Sequence, residues 1–173
     1  MIRLKRILTY AACILGAFIL QSSLFSYLDL ADIVPNLLII VTVSIALIRG
    51  RSEGCVAGFF AGLLMDIGFG AYLGLYALCY MVIGYVMGYF NRIYYEEDIT
   101  LPLLLIGLGD FFYGLFMFVV RFLPRGRFNI LYYLRRIILP EIVYTVIISI
   151  VLYRFMLMIC KKLDKKGSEG FIV

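Results

Sequence analysis

The sequence predicts an all-α integral membrane protein: a six-helix transmembrane bundle whose third helix is short or broken. Three observations carry this. Hydrophobic residues make up 64% of the 173 and charged residues only 16%, whereas a soluble domain is about half apolar and a quarter charged. That leaves too few charges to clothe a water-facing surface. The apolar residues fall into six runs divided by brief polar connections. Finally, the basic residues cluster at the edges of those runs, which is how Lys and Arg mark the boundaries of a bilayer.

The first run, residues 7–28, follows the basic arm Arg3, Lys5 and Arg6. About twenty residues suffice to cross ~30 Å of hydrocarbon. The run is too long for the core of a cleaved signal peptide, and no small-residue cleavage site follows it. The second, 33–48, holds Pro35, suited to a first helical turn, and ends at Arg49 and Arg51. The third, 54–70, has only about fourteen strongly apolar residues, reaching about 21 Å at ~1.5 Å per residue. It is expected to continue toward Tyr72, thin the bilayer or turn back inside it, with the glycines after Asp66 as a flexible break between two short helices. The fourth covers 71–90, the fifth 101–123 and the sixth 137–160, followed by a basic tail over 161–173. The chain reads as one polytopic domain. With a cytoplasmic N-terminus and six crossings, eleven of the sixteen Lys and Arg fall inside, so both termini are predicted cytoplasmic.

The inventory excludes much chemistry. With no His in the chain, Ser-His and Cys-His pairs and HExxH metal sites cannot be built. Cys13, Cys55, Cys79 and Cys160 form no CxxC pair and read as packing residues. No catalytic, cofactor or metal residues are assigned. The net charge of +5 sits beside apolar runs, which indicates anionic lipid rather than nucleic acid as the partner.

Gly54, Gly58, Gly62 and Asp66 recur every four residues and share one helix face. Lipid supplies no hydrophobic drive for helices to associate, so small residues promote packing by letting backbones approach. Such a face serves either packing within the bundle or docking of another protein. Gly84 and Gly88 repeat the spacing. The glycines after Asp66 imitate a phosphate loop but lack the preceding strand that the fingerprint requires. Asp66, Asp110 and Glu141 lie within apolar runs, where an acid at mid-helix costs about 2.5–3.5 kcal/mol. Each needs a partner or water, with Arg121, Arg135 and Arg136 as the nearest counter-charges. Gly107, Asp110 and Gly114 share a face, and Glu141, Thr145 and Ser149 form a polar stripe. Segment 124–136, with Arg125, Arg127, Arg135 and Arg136 among Tyr and Leu, suits a helix at the outer membrane surface touching headgroups or a partner.

In order and spacing the chain resembles the bacterial MreD family over essentially its whole length. The resemblance rests on the basic start, Gln21-Ser-Ser-Leu-Phe25, Pro35-Asn-Leu-Leu-Ile39, the glycine face Gly54 to Asp66, and Gly74-Leu-Tyr76. Asp110-Phe-Phe-Tyr113 and Arg136-Ile-Ile-Leu-Pro140 complete it. Two departures are Thr145, where relatives often have Asn, and Glu141 in place of a commonly neutral residue. The resemblance implies a non-enzymatic scaffold of the elongation complex in the cytoplasmic membrane. It would bind the bitopic protein MreC and support lateral peptidoglycan synthesis alongside MreB, RodA and its class B penicillin-binding partner. It also implies a fold similar to the S-components of energy-coupling factor transporters. A second copy of the chain is a further candidate partner.

The partner-binding residues expected are Gly54, Gly58, Gly62, Asp66, Gly107, Asp110 and Gly114. The rival reading is a vitamin-binding S-component or small transporter using Asp66, Asp110 or Glu141. An intramembrane aspartyl enzyme is disfavoured. Gly107-Leu-Gly109-Asp110 completes one of its motifs, but Asp66 follows Met65 rather than Tyr, and the Pro-Ala-Leu element is missing.

Overall fold

The computed structural model describes residues 2–27, 34–70, 73–93, 99–121 and 130–169, and every regular element among them is helical. Helix α1 spans Ile2–Tyr27, α2 Leu37–Arg49, α3 Arg51–Phe69 and α4 Leu75–Met87, the last extended by a 3₁₀ turn over Gly88–Arg92. Helix α5 spans Thr100–Arg121, α6 Ile130–Tyr133 and α7 Leu139–Glu169, with a π-helical turn over Leu134–Ile138 joining the last two into one rod.

Helix α2 is the axis of the bundle. Its sequence, LLIIVTVSIALIR, is apolar on every side, the pattern of a helix surrounded by others, and each residue from Leu37 to Leu47 is buried. Helices α1, α3, α4, α5 and α7 all pack against it. Successive passes run antiparallel. Gln21 of α1 meets Leu38 while Tyr10 meets Arg49, and Gly107 of α5 meets Val146 while Gly114 meets Ile138. Gly50 joins α2 to α3 alone at φ +94°, a left-handed backbone that glycine adopts without penalty.

Four helical stretches are long and apolar enough to cross a membrane: Arg6–Ser23, Arg51–Phe69, Thr100–Val120 and Ile130–Lys162. Their outward residues, among them Val56, Phe60, Leu104, Val143, Ile147 and Val151, are exposed and apolar. Exposed apolar surface on this scale marks contact with lipid or protein. The chain is an integral membrane protein.

Two expectations need correction. The third helix is neither short nor broken. It runs unbroken for 19 residues, about 28 Å at ~1.5 Å each, because Gly68 keeps helical geometry and the chain leaves the helix only at Gly70. Shortness falls instead on α2 and α4, at 13 residues each. Nor does the last helix begin at residue 137, where the sixth apolar run starts; the rod is helical from Ile130 and passes through Pro140. Proline removes one backbone N–H and crowds the carbonyl four residues back. The widened turn just before it accommodates this, with Leu139 N–H donating to the Leu134 carbonyl five residues back.

Candidate functional site

The predicted glycine face is a seam inside the chain. Gly54, Gly58 and Gly62 of α3 lie directly against the backbone carbonyls of Gly84, Tyr80 and Tyr76 of α4. A methyl group at Gly58 would collide with the Tyr80 carbonyl, and one at Gly84 with that of Gly54. Gly88 completes the seam against Arg51, its added Cβ falling 2.5 Å from the Arg51 Cα. Dispersion contact between two backbones is what small-xxx-small faces provide in lipid.

Asp66 closes this seam. It is 3% exposed, and its carboxylate accepts from Tyr76 N–H at 3.0 Å and Ala77 N–H at 2.9 Å. These are second and third residues of α4, whose first N–H groups have no partner within the helix. Gly74 begins that helix at φ +103° and supplies no side-chain cap. A carboxylate from the neighbouring helix therefore does the capping, and the positive end of the α4 dipole favours its charge.

A second polar assembly gathers where α2 begins. Asn36 N–H donates to Thr145 Oγ1 at 3.1 Å. Its Oδ1 accepts from the Tyr80 hydroxyl at 2.6 Å and from Ile39 N–H at 3.3 Å. Gln21 Oε1 accepts from Leu38 N–H at 3.2 Å. A helix start buried in a bundle must find acceptors for its orphan N–H groups, and here α1, α7 and the Asn36 side chain supply them. Asp110 lies beside this knot at 1% exposure. Asn36 and Thr145 act on it, and it acts in turn on Glu141.

The residues expected to dock a partner are thus mostly enclosed. Gly54, Gly58, Gly62 and Asp66 face α4. Gly114 packs on Ile138, with an added Cβ only 2.9 Å from its Cγ1, and Asp110 is sealed behind α2 and α7. None of these six has an open surface through which to dock another chain, because the chain's own helices fill it. Gly107 differs: it floors a shallow apolar groove open to the bundle exterior, lined also by Thr100, Leu104, Leu108, Phe111 and Val146. Of the arginine counter-charges expected for the acids, Arg135 and Arg136 do not meet them, and the Arg121 side chain lies outside the described residues. Neither Arg135 nor Arg136 is among the groups acting on Asp110 or Glu141, and both are exposed. Arg136 instead lies 5.8 Å from the Tyr132 ring. Arg125 and Arg127 lie outside the described residues.

Sequence reading missed Asn36, Tyr80 and Gln21. Asn36 carried a signal, since Asn before an apolar helix is a favoured N-cap; Tyr80 carried none. Among the described residues no three His, Cys, Asp or Glu side chains come together as metal ligands.

At the opposite end of the bundle, Arg6 pairs with Glu53 at 3.5 Å, Arg49 donates to the Tyr10 hydroxyl at 2.9 Å, and Arg51 lies 4.4 Å from the Tyr89 ring. Arg92 ends its 3₁₀ turn on this side, and Lys161 and Lys162 follow Cys160, which lies near Tyr10. Positive charge is thereby gathered where α1 starts and α7 finishes.

No curated protein and no solved structure matches the chain. A family profile does, that of the rod shape-determining protein MreD, over residues 1–163. The match covers nearly every residue of the bundle, including the seam, the Asn36 knot and the groove. The chain belongs to the MreD family of rod shape-determining membrane proteins.

Proposed function

We propose that this chain is a non-enzymatic scaffold of the bacterial elongation complex. In this reading it receives the single membrane helix of an MreC-like bitopic protein in the α5–α7 groove. It thereby connects MreB filaments with RodA and its class B penicillin-binding partner. Membership of a shape-determining family supports the role. The observation that carries the groove is its form: apolar walls, a glycine floor at Gly107 and an opening toward lipid. A glycine floor lets a second helix approach closely, the main source of association energy between helices in a membrane. All six passes cross the cytoplasmic membrane, with α2 shielded from lipid mismatch by its neighbours and α4 lengthened by its 3₁₀ turn. The basic end faces the cytoplasm, in keeping with the positive-inside rule. On the other side, Leu131, Tyr132, Arg135 and Arg136 line a shallow surface that suits lipid headgroups.

A vitamin-binding role of the S-component kind needs a chamber in the bundle, and α2 occupies its centre instead. The groove is tested by Leu104→Trp and Leu108→Trp. Leu104 is 65% and Leu108 41% exposed, so a larger ring fills the groove without disturbing the core. Both variants should purify as the wild type does and lose the MreC-like protein in mild detergent. Retention of that protein by both variants would remove the groove from consideration. Loss of a second copy of this chain instead would make the groove a homodimer contact.

A further inference from the structure

We infer that Asp110 anchors a binding site for one small alkali cation, enclosed where Asp110 of α5 meets Thr145 and Glu141 of α7 beside the N-terminus of α2. Asp110 is almost wholly enclosed, at 1% exposure, and neither of its carboxylate oxygens has a hydrogen-bond partner among the described residues. Removing a carboxylate from water costs several kcal/mol unless another charge or hydrogen bonds compensate. The other acid in an apolar run, Asp66, meets this requirement with two backbone N–H groups. Asp110 has no backbone N–H donor of this kind: the side chains acting on it are those of Asn36 and Thr145, and among the described residues no Lys or Arg acts on it or on Glu141.

The surroundings are instead rich in oxygen. Thr145 Oγ1 is fixed in place by accepting from Asn36 N–H at 3.1 Å and keeps a free lone pair. The Glu141 carboxylate interacts electrostatically with Asp110 from the next turn of α7. Asn36 Oδ1 is already occupied by Tyr80 and Ile39, so Asn36 positions the site rather than serving as a ligand. A donor set of carboxylate and hydroxyl oxygens, without nitrogen or sulfur, selects hard cations. Calcium takes 6–8 oxygens and magnesium retains several waters, for which a centre filled by α2 has little room. A monovalent ion also matches the single fully enclosed carboxylate. Glu141 is only half-buried, so it does not count as a second enclosed charge. Bound there, the ion fastens α5 to α7 and to the start of α2. The inference stands independently of the partner reading.

The test is thermal unfolding of the purified full chain in detergent, in NaCl or KCl against choline chloride at equal ionic strength and constant pH. At about tenfold above its Kd, the binding cation should raise Tm by roughly 3–6 °C, and Asp110→Asn should abolish that rise. If Asp110→Asn does not fold, Thr145→Val, which removes one ligand and keeps the shape, should weaken the response at least severalfold. Direct binding of radioactive sodium to the wild type, lost in the variants, gives a readout apart from stability. An equal Tm in all three salts would overturn the site, as would a rise that persists in Asp110→Asn. A response to magnesium or calcium alone, or to pH with no cation dependence, would overturn it too.

Discussion

Replacing Asp66 with alanine removes both acceptors that close the N-terminus of α4, and the structure sets the scale of the loss. Tyr76 and Ala77 N–H, at 3.0 and 2.9 Å from the carboxylate, would be left without a partner in a bundle interior. Hydrogen bonds to a charged group contribute about 1.5–3 kcal/mol each, and an orphaned buried donor costs about 1–3 kcal/mol. Loss of an N-cap measured by itself is about 0.5–2 kcal/mol. Because the two bonds share one carboxylate they are not additive, and we expect about 2–4 kcal/mol for Asp66→Ala. Asp66→Asn keeps one carbonyl acceptor and should cost about half as much. The assay is reversible unfolding in mixed micelles with increasing SDS, followed by far-UV circular dichroism, with partner co-purification measured on the same preparations. The order wild type, Asn, Ala in stability is the expected result. An alanine variant as stable as the wild type that had lost its partner would show that Asp66 acts on another protein and not on α4.

The remaining predictions concern the seam, the knot and the orientation. Gly58→Ala should destabilise by about 1–3 kcal/mol, since the atoms it meets are backbone and cannot yield; Ala at exposed Gly74 fails for another reason, its φ of +103°, and should cost about 1 kcal/mol. Tyr80→Phe deletes one donor to Asn36 while keeping the ring, and should cost about 1 kcal/mol in the same unfolding assay. A reporter fused after Val173 should be active only in its cytoplasmic form; periplasmic activity would reverse the proposed topology.

Much of the fold was legible because lipid imposes a simple code. Long apolar runs bounded by basic residues marked the chain as an all-helical membrane protein. The third helix was misread because glycine signals a break in water, whereas Gly68 here sits within an unbroken membrane helix. The apolar run from residue 137 erred in the opposite sense, since a π-helical turn joins it to the helix that starts at Ile130. At the site, four-residue spacing correctly put Gly54, Gly58 and Gly62 on one face. Which surface they meet depends on Gly84 and Gly88 arriving antiparallel on α4, which spacing along one helix cannot specify. Asp66 is expected from the sequence to face a partner or water, with only side chains offered as counter-charges. Its partners are backbone N–H groups, present at every helix start and therefore invisible in a list of side chains. Asp110 was visible as a costly acid, but its enclosure by α2 and α7 arises only from the packing of three distant segments.

Photo-crosslinking in the native membrane decides whether the scaffold's partner lies along the outer α5–α7 face. A crosslinking amino acid placed at Leu104 or Leu108 should capture the MreC-like protein. The same group at Val56 or Phe60, equally apolar and exposed on α3, should capture only lipid. Capture from α3 with none from α5 would contradict the account.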